Sequence, residues 1–294
     1  MLPTADIELA RRTFTEGLRD KAHLRSTSLI EAFAHVPRER FLGDGPWKFG
    51  VFSNDGVLTY EQTATSNPAE VYRDAVIAID AGRGLNNGEP SSLASWIDAL
   101  DLSPGETIVH IGSGTGYYTA ILAEVVGPSG RVLAFEIDPV LALRARANLG
   151  NYPQVVMPTV EQNNLAVDSV DAMFVNCGVT HPAMPWVQSL RKGGRLLLPV
   201  TAAPAAADDI GYGAMYLAVR RNDGLELRFL SRVCIYHCMG QRSDKLNREL
   251  LAKDSASWRE VRTLRTDRHA REQSCWLHGP ECCMSLSLGR CDAA

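Results

Sequence analysis

The chain has 294 residues, 45% of them hydrophobic and 22% charged, and a formal net charge of −4. That balance belongs to a folded globular protein and gives no reason to expect nucleic acid or an anionic membrane as partner. No stretch approaches the run of about 20 apolar residues that a membrane-spanning helix needs. The opening MLPTADIELARRTF carries acids early and no apolar signal core, so the expected location is the cytoplasm.

Residues 5–24 pattern as an amphipathic helix with Ile7, Leu9, Phe14 and Leu18 as its apolar positions. A second helix is expected over 28–34, and Pro37 should stop it. Read alone, Arg38-Glu39-Arg40 is a solvated cluster at a helix end. Residues 47–66 are rich in Gly, Asn and Thr with scattered aromatics, which suggests loops and short strands. An alternating run at 75–79 follows, then Asn86-Asn87-Gly88. Pro90 suits the first turn of a helix that carries Leu93, Trp96, Ile97 and Leu100 inward.

The stretch ETIVHIGSGTGYYTAILAEVV, residues 106–126, reads as strand, glycine turn and helix. Gly112, Gly114 and Gly116 alternate with the small residues Ser113 and Thr115. Such a turn lets a ligand approach the backbone closely at a helix N-terminus. RVLAF, residues 131–135, is the next strand and ends in Glu136, Ile137 and Asp138. Glu136 lies 20 positions after Gly116. In a right-handed β-α-β unit its carboxylate would reach the strand tip beside the turn, where it suits the two hydroxyls of a ribose. A nucleoside-containing cofactor is therefore expected. The spacing G-x-G-x-G differs from the dinucleotide fingerprint G-x-G-x-x-G, which argues against a nicotinamide dinucleotide.

A helix over 140–149 should bury Leu141, Ala145 and Leu149, and strands are expected at 155–157, 170–175 and 195–200. Lys192-Gly193-Gly194 reads as a turn, with a short helix at 182–190 before it. Asn176-Cys177-Gly178 ends the 170–175 strand on the side where ligands bind in such sheets. Residues 212–220 and 225–236 pattern as an antiparallel pair about Asn222-Asp223-Gly224.

The last fifty residues carry no recognised motif. Arg259, Arg262, Arg265 and Arg268 recur every third residue, which reads as a solvated helix face or a basic stripe for an acidic partner. Six of the seven cysteines fall after residue 230. Cys234, His237 and Cys238 are close in sequence, and Cys275 and His278 have C-x-x-H spacing, but two clean ligand pairs are missing. The expectation is reduced, partly buried thiols and no metal.

VHIGSGTGYYTA with AFEIDP resembles the first motif and acidic strand end of class I S-adenosylmethionine-dependent methyltransferases. SLIEAFAHVPRERFLG at 28–43, Tyr72-Arg73-Asp74 and KGGRLLLPV at 192–200 narrow the resemblance to protein-L-isoaspartate O-methyltransferases, over roughly residues 28–240. The resemblance implies a Rossmann-like α/β fold, with a mostly parallel seven-stranded sheet, helices on both faces and a C-terminal extension. It implies an N-terminal helix at 1–27, the methyltransferase domain at 28–240 and an extension at 241–294. The implied cofactor is S-adenosyl-L-methionine, held by His110, Gly112, Ser113, Gly114, Thr115, Gly116, Glu136, Ile137, Glu161 and Asn176. His110 stands where that family usually has an acid, and Glu161 stands in place of a Gly-Asp-Gly segment beside the adenine. The implied reaction is carboxyl O-methylation of a protein or peptide bearing isoaspartate, with Asp74, Asn87 and Gly88 at the acceptor. Aligned on Pro90, the family's loop serine falls on Gly88, so Asn87 or Ser91 would substitute within a cradle of amides and backbone N–H groups. A methyltransferase with another acceptor and a cofactor-binding protein without turnover are the alternatives.

Overall fold

The computed structural model describes residues 4–52, 58–158, 169–204, 209–222 and 224–288. Helices α1 (Thr4–Ala22) and α2 (Thr27–His35) open the chain. Ser26 caps α2 by accepting from the Leu29 N–H at 3.2 Å. Strands β1 (Lys48–Phe52) and β2 (Leu58–Gln62) pair antiparallel, as do β3 (Ala78–Asp80) and β4 (Leu85–Asn86). Helix α3 (Pro90–Ala99) starts on the proline and buries Leu93, Trp96 and Ile97.

Strand and helix then alternate: β5 (Thr107–Ile111), α4 (Tyr117–Val126), β6 (Arg131–Phe135), α5 (Pro139–Asn148) and β7 (Val155–Val156). They continue with β8 (Val170–Val175), α6 (Met184–Ser189) and β9 (Leu190–Ala202). The long strands β10 (Ile210–Arg221) and β11 (Gly224–Tyr236) follow, then α7 (Asp244–Leu251), β12 (Thr263–Arg265), β13 (Cys275–His278) and β14 (Cys283–Ser285).

Ten strands form one sheet in the order β13-β14-β12-β11-β10-β9-β8-β5-β6-β7. β5 and β9 flank β8 and run parallel to it, while the pairs from β9 out to β13 are antiparallel. The tail strands β12, β13 and β14 account for the increase over the expected seven.

The chain divides into two compact units. The first comprises Met1–Gly105, Ser113–Val132 and Asp138–Met157. In it α1 packs on α2 and α3, and α2 on α4. Phe14 and Leu18 of α1 are buried, but Leu9 is 65% exposed, so the apolar stripe of that helix is narrower than its sequence suggests. Of the 38–40 run, Arg40 is exposed as a solvated helix end would have it, but Arg38 has no exposed surface. Its Nη1 donates to the carbonyls of Val71 (2.8 Å) and Arg73 (2.7 Å), and its Nη2 to that of Ala75 (3.0 Å). The guanidinium lies 5.5 Å from the Phe14 ring centroid and 6.0 Å from that of Tyr117. A fork of donors meeting three carbonyls keeps a buried cation solvated by protein dipoles. Beside it the Tyr72 hydroxyl donates to Glu39 and accepts from Arg11 Nε at 2.8 Å.

The second unit comprises Glu106–Gly112, Leu133–Ile137 and Pro158–Ala294. Its core runs from Val109, Met173 and Val175 through Leu196, Leu198 and Tyr216 to Trp258 and Trp276 in the tail. Helices α6 and α7 pack on β9. The Tyr216 hydroxyl donates to the Trp258 carbonyl at 2.6 Å, which fixes the tail against β10. At the start of β5, both oxygens of Glu106 are met by Arg195 of β9, at 2.8 and 2.7 Å.

Two local expectations change here. Residues 192–194 lie inside β9 and not in a turn that precedes it. Pairing with β8 steps from Val170 opposite Leu190 to Ala172 opposite Arg195, so the intervening residues bulge, and Gly193 takes the left-handed φ of 77°. The arginine periodicity of the tail is not helical either. Arg265 is in β12 and pairs with Asp267 at 2.7 Å and Glu272 at 2.9 Å. Among the described residues, no helix is long and apolar enough to cross a membrane.

Replacing Arg38 by Met would keep much of the packing volume and remove the guanidinium donors from three carbonyls, of which those of Val71 and Arg73 keep a backbone N–H donor. Arg38→Met is expected to lower the unfolding free energy by about 1–3 kcal/mol, read from urea denaturation. An unchanged midpoint would show that the guanidinium adds nothing net.

Candidate active site

The chain leaves β5 at Ile111 and enters α4 at Tyr117 through five residues. Gly112, Gly114 and Gly116 all adopt left-handed φ values, 78°, 56° and 97°. Side chains other than glycine are strained there, so the turn depends on these three residues. In the first unit Gly116 is the N-cap of α4, and a Cβ on it would stand 2.9 Å from Leu149 Cδ1. Its N–H closes the turn onto the Ser113 carbonyl at 2.9 Å. Asn148 Nδ2 donates to the Thr115 carbonyl at 2.9 Å and fixes that peptide plane. A Cβ on Gly114 would meet nothing within 4 Å. The Ser113 hydroxyl is buried and has no hydrogen-bond partner among the described residues. A bare, open backbone beside an unpartnered buried hydroxyl fits the polar amino-acid end of S-adenosyl-L-methionine.

In the second unit the strand ends converge on Gly112. Its N–H donates to the Phe135 carbonyl at 2.9 Å, and the Asn176 N–H donates to the Ile111 carbonyl at 2.8 Å. A Cβ on Gly112 would stand 3.1 Å from the Asn176 carbonyl oxygen. Asn176 Nδ2 reaches the Gly112 carbonyl at 3.5 Å, a weak contact. Glu136 is half-buried just past the end of β6. Ile137 beside it is 53% exposed, an apolar surface at the same strand end. Glu161 lies outside the described residues.

His110 does not join this group as an accessible side chain. It lies on β5 with no exposed surface, and its ring stacks on Phe174 of β8 at 4.8 Å between centroids and 6° between planes. Burial pushes its pKa down to about 3, so it stays neutral in the core. The His110 side chain therefore packs between parallel strands.

Asp74, Asn87 and Gly88, the residues expected at the acceptor, belong to the first unit, and there the expected cradle is altered. The Gly88 N–H is already taken by Asn86 Oδ1 at 2.9 Å, and the Asn87 N–H by the Ile77 carbonyl at 3.0 Å. Backbone N–H groups of this loop therefore serve its own folding. Gly88 has a φ of 76°, and a Cβ there would stand 2.8 Å from Leu93 Cδ2. A side chain at this position would be strained by that φ. The Asn87 side chain is different: Oδ1 accepts from the Ile77 N–H at 3.1 Å and faces Arg38 Nη2 at 3.4 Å. Its Nδ2 is buried and has no partner among the described residues.

Asp74 is held at both oxygens. Oδ2 pairs with Lys21, and Oδ1 accepts the Ser91 N–H at 2.8 Å. Burial acts to raise this carboxyl, but Lys21 and the N–H and hydroxyl of Ser91 outweigh it and hold it below the ordinary carboxylate range. The Ser91 hydroxyl is thus turned to Asp74, which removes it as a substitute for the loop serine. Sequence reasoning missed Lys21, Arg38 and Asn148 as residues that set this geometry. Only Arg38 had a signal, in the VPRERF run.

A family model described as protein-L-isoaspartate(D-aspartate) O-methyltransferase (PCMT) matches residues 58–212. The chain is 31% identical over 196 residues to the protein-L-isoaspartate O-methyltransferase of Aeropyrum pernix, which covers 65% of this chain and 66% of that one, just under two thirds. It is 26% identical over 231 residues to the protein of the same name from Ignicoccus hospitalis, covering 76% and 92%. A solved protein-L-isoaspartate O-methyltransferase superposes with a TM-score of 0.63 at 22% identity, covering 81% of this chain and 69% of that one. A Plasmodium falciparum protein solved in complex with S-adenosyl-L-homocysteine superposes with a TM-score of 0.56 at 17% identity, covering 77% and 97%. The two structures share the fold, which is that of class I S-adenosylmethionine-dependent methyltransferases.

The buried imidazole makes a prediction about pH. Unfolded, histidine titrates near 6.5, whereas folded His110 stays neutral down to about 3. Between those values the unfolded chain binds the extra proton. Stability is therefore complete above about pH 6.5 and falls on acidification, by up to about 1.4 kcal/mol per pH unit from this group. Urea midpoints should fall more steeply between about pH 6.5 and about pH 5 for the native chain than for His110→Gln. Equal slopes would contradict a neutral buried His110.

Proposed function

The chain belongs to the protein-L-isoaspartate(D-aspartate) O-methyltransferase family, and we propose that it methylates the free α-carboxylate of isoaspartyl residues in proteins and peptides. The observation that carries this reading is the family match. It spans residues 58–212 and so takes in Asp74, Asn87, Gly88, the glycine turn, Glu136 and Asn176. S-adenosyl-L-methionine supplies an activated methyl group when bound, and a carboxylate acceptor, ionised at neutral pH, needs no general base. The remaining task of the protein is to hold and align.

We assign the cofactor's amino-acid end to the bare backbone at Gly112–Gly116, with the Ser113 hydroxyl as a donor. Glu136 takes the ribose hydroxyls, and Ile137 gives the base an apolar surface. Asn176 braces the turn through its backbone and contacts at Gly112. On the acceptor side we assign the donor role to Asn87 Nδ2, which has no hydrogen-bond partner among the described residues. A neutral amide orients a carboxylate without neutralising the charge that makes it a nucleophile. Asp74, engaged by Lys21 and Ser91, is a positioning residue for the loop and the start of α3. Esterification makes the isoaspartyl carboxyl an electrophile for the neighbouring backbone nitrogen, which is the entry to restoring a normal aspartyl linkage. The described cysteines are free, which suits a reducing compartment, and we take the cytoplasm as the site of action.

Gly88 favours one second reading. Its left-handed φ and the nearby Leu93 would strain the family's loop serine at this position, and a methyltransferase with a different acceptor would share that feature.

Asn87→Asp tests the first reading while keeping the Oδ1 contacts of the loop. Replacing the donor by an anionic oxygen should raise KM for an isoaspartyl peptide at least about tenfold, with the affinity for S-adenosyl-L-methionine unchanged. An unchanged KM would remove Asn87 from the acceptor site.

A further inference from the structure

Four side chains of the tail, none of them among the residues assigned to the reaction above, meet at one point. His269, Cys275, His278 and Cys283 each offer a metal-ligating atom, and all four atoms lie within 4.8 Å of one another. Local sequence does not give this grouping, because strand pairing creates it. His278 of β13 is directly opposite Cys283 of β14, so the two are cross-strand neighbours on one face. Cys275 and His278 are three residues apart on β13 and would point to opposite faces of a regular strand. The register shift between Cys275 and Leu277 bends the strand and brings both toward Cys283. His269, past the end of β12, closes the group with Nε2 at 3.4 Å from Cys275 Sγ.

We propose that these four residues form a structural zinc site that fastens β13 and β14 to the segment following β12. Two thiolates and two imidazoles are a common set for tetrahedral zinc, and four protein ligands leave no open position. Ligand atoms around such an ion stand about 3.3–3.8 Å apart, so closing from 4.8 Å needs shifts of under about 1 Å. Zinc binding would displace the two thiol protons and join the sulfurs to the metal.

The surroundings are those of ligands held in place. His269 Nδ1 lies 3.0 Å from the Asp267 carbonyl and 3.3 Å from its carboxylate, which fixes the ring and directs Nε2 inward. Arg265 in turn holds that carboxylate at 2.7 Å. The Glu272 N–H donates to Cys275 Sγ at 3.2 Å, a contact that favours a thiolate. His278 Nδ1 is buried without a hydrogen-bond partner among the described residues. Cys275 and Cys283 are buried and free. Cys234 and His237, the other pair of ligand type noted in the sequence, lie outside this group.

The test uses the untagged full chain, expressed with zinc in the medium, passed over chelating resin and assayed for metal by mass spectrometry. The expected content is about one zinc per chain, with a loss of at least about tenfold in Cys275→Ser and Cys283→Ser and full retention in Cys234→Ser. Cobalt added to the metal-stripped native chain should give thiolate charge-transfer and tetrahedral d–d absorption, a readout that does not rely on a variant folding. A native chain that takes up neither metal would overturn the proposal. So would a mass-spectrometric disulfide between Cys275 and Cys283, or zinc that persists in both serine variants.

Discussion

The buried guanidinium of Arg38 is the constraint on which the segment from Val71 to Asn87 depends. One side chain with no exposed surface gathers the carbonyls of Val71, Arg73 and Ala75 and faces Asn87 Oδ1. A buried cation of this kind is tolerated only where oxygen acceptors surround it, so the segment from Val71 to Ala75 has little freedom to rearrange. Tyr72 extends the arrangement to Glu39 and Arg11, and Asp74 extends it to Lys21 and the first turn of α3. The result is a loop in which the Asn87 and Gly88 N–H groups are internally engaged, while the Asn87 side-chain amide has no partner for its Nδ2 among the described residues.

On the cofactor side the determining factor is backbone conformation. Three glycines with positive φ let the chain pass from strand to helix without side chains in the turn. The close approach of Gly112 to the Asn176 carbonyl and of Gly116 to Leu149 shows two of them packed against their neighbours. Gly114 differs from them in having open space where a Cβ would be. A site of this kind needs no nucleophile-base pair: the methyl donor is already activated, and what remains is positioning.

Contiguous features were legible in the sequence. The strand-turn-helix at 106–126, the acidic end of β6, the helix start at Pro90 and the hairpin of β10 and β11 each rest on residues a few positions apart, and they appear near their expected places. Features made by distant contacts were not. Arg38 reads as a surface residue because its carbonyl acceptors lie more than 30 positions away. His110 reads as a cofactor contact because its neighbour Phe174 belongs to another strand. Cys275 and His278 showed only half of a ligand set, since His269 and Cys283 join them through a strand bulge and a cross-strand pair. The loop at Asn86-Asn87-Gly88 was recognisable as a turn, yet which of its donors remained unengaged depended on Asn86 Oδ1 and the Ile77 carbonyl.

The central claim is carboxyl methylation at isoaspartate by a loop that lacks the usual serine. Transfer of radiolabelled methyl from S-adenosyl-L-methionine to a peptide with one L-isoaspartate, set against its normal aspartyl twin, addresses it most directly. The account predicts ester formation on the isoaspartyl peptide and none on the twin. Transfer to neither, with cofactor binding confirmed by calorimetry, would contradict it.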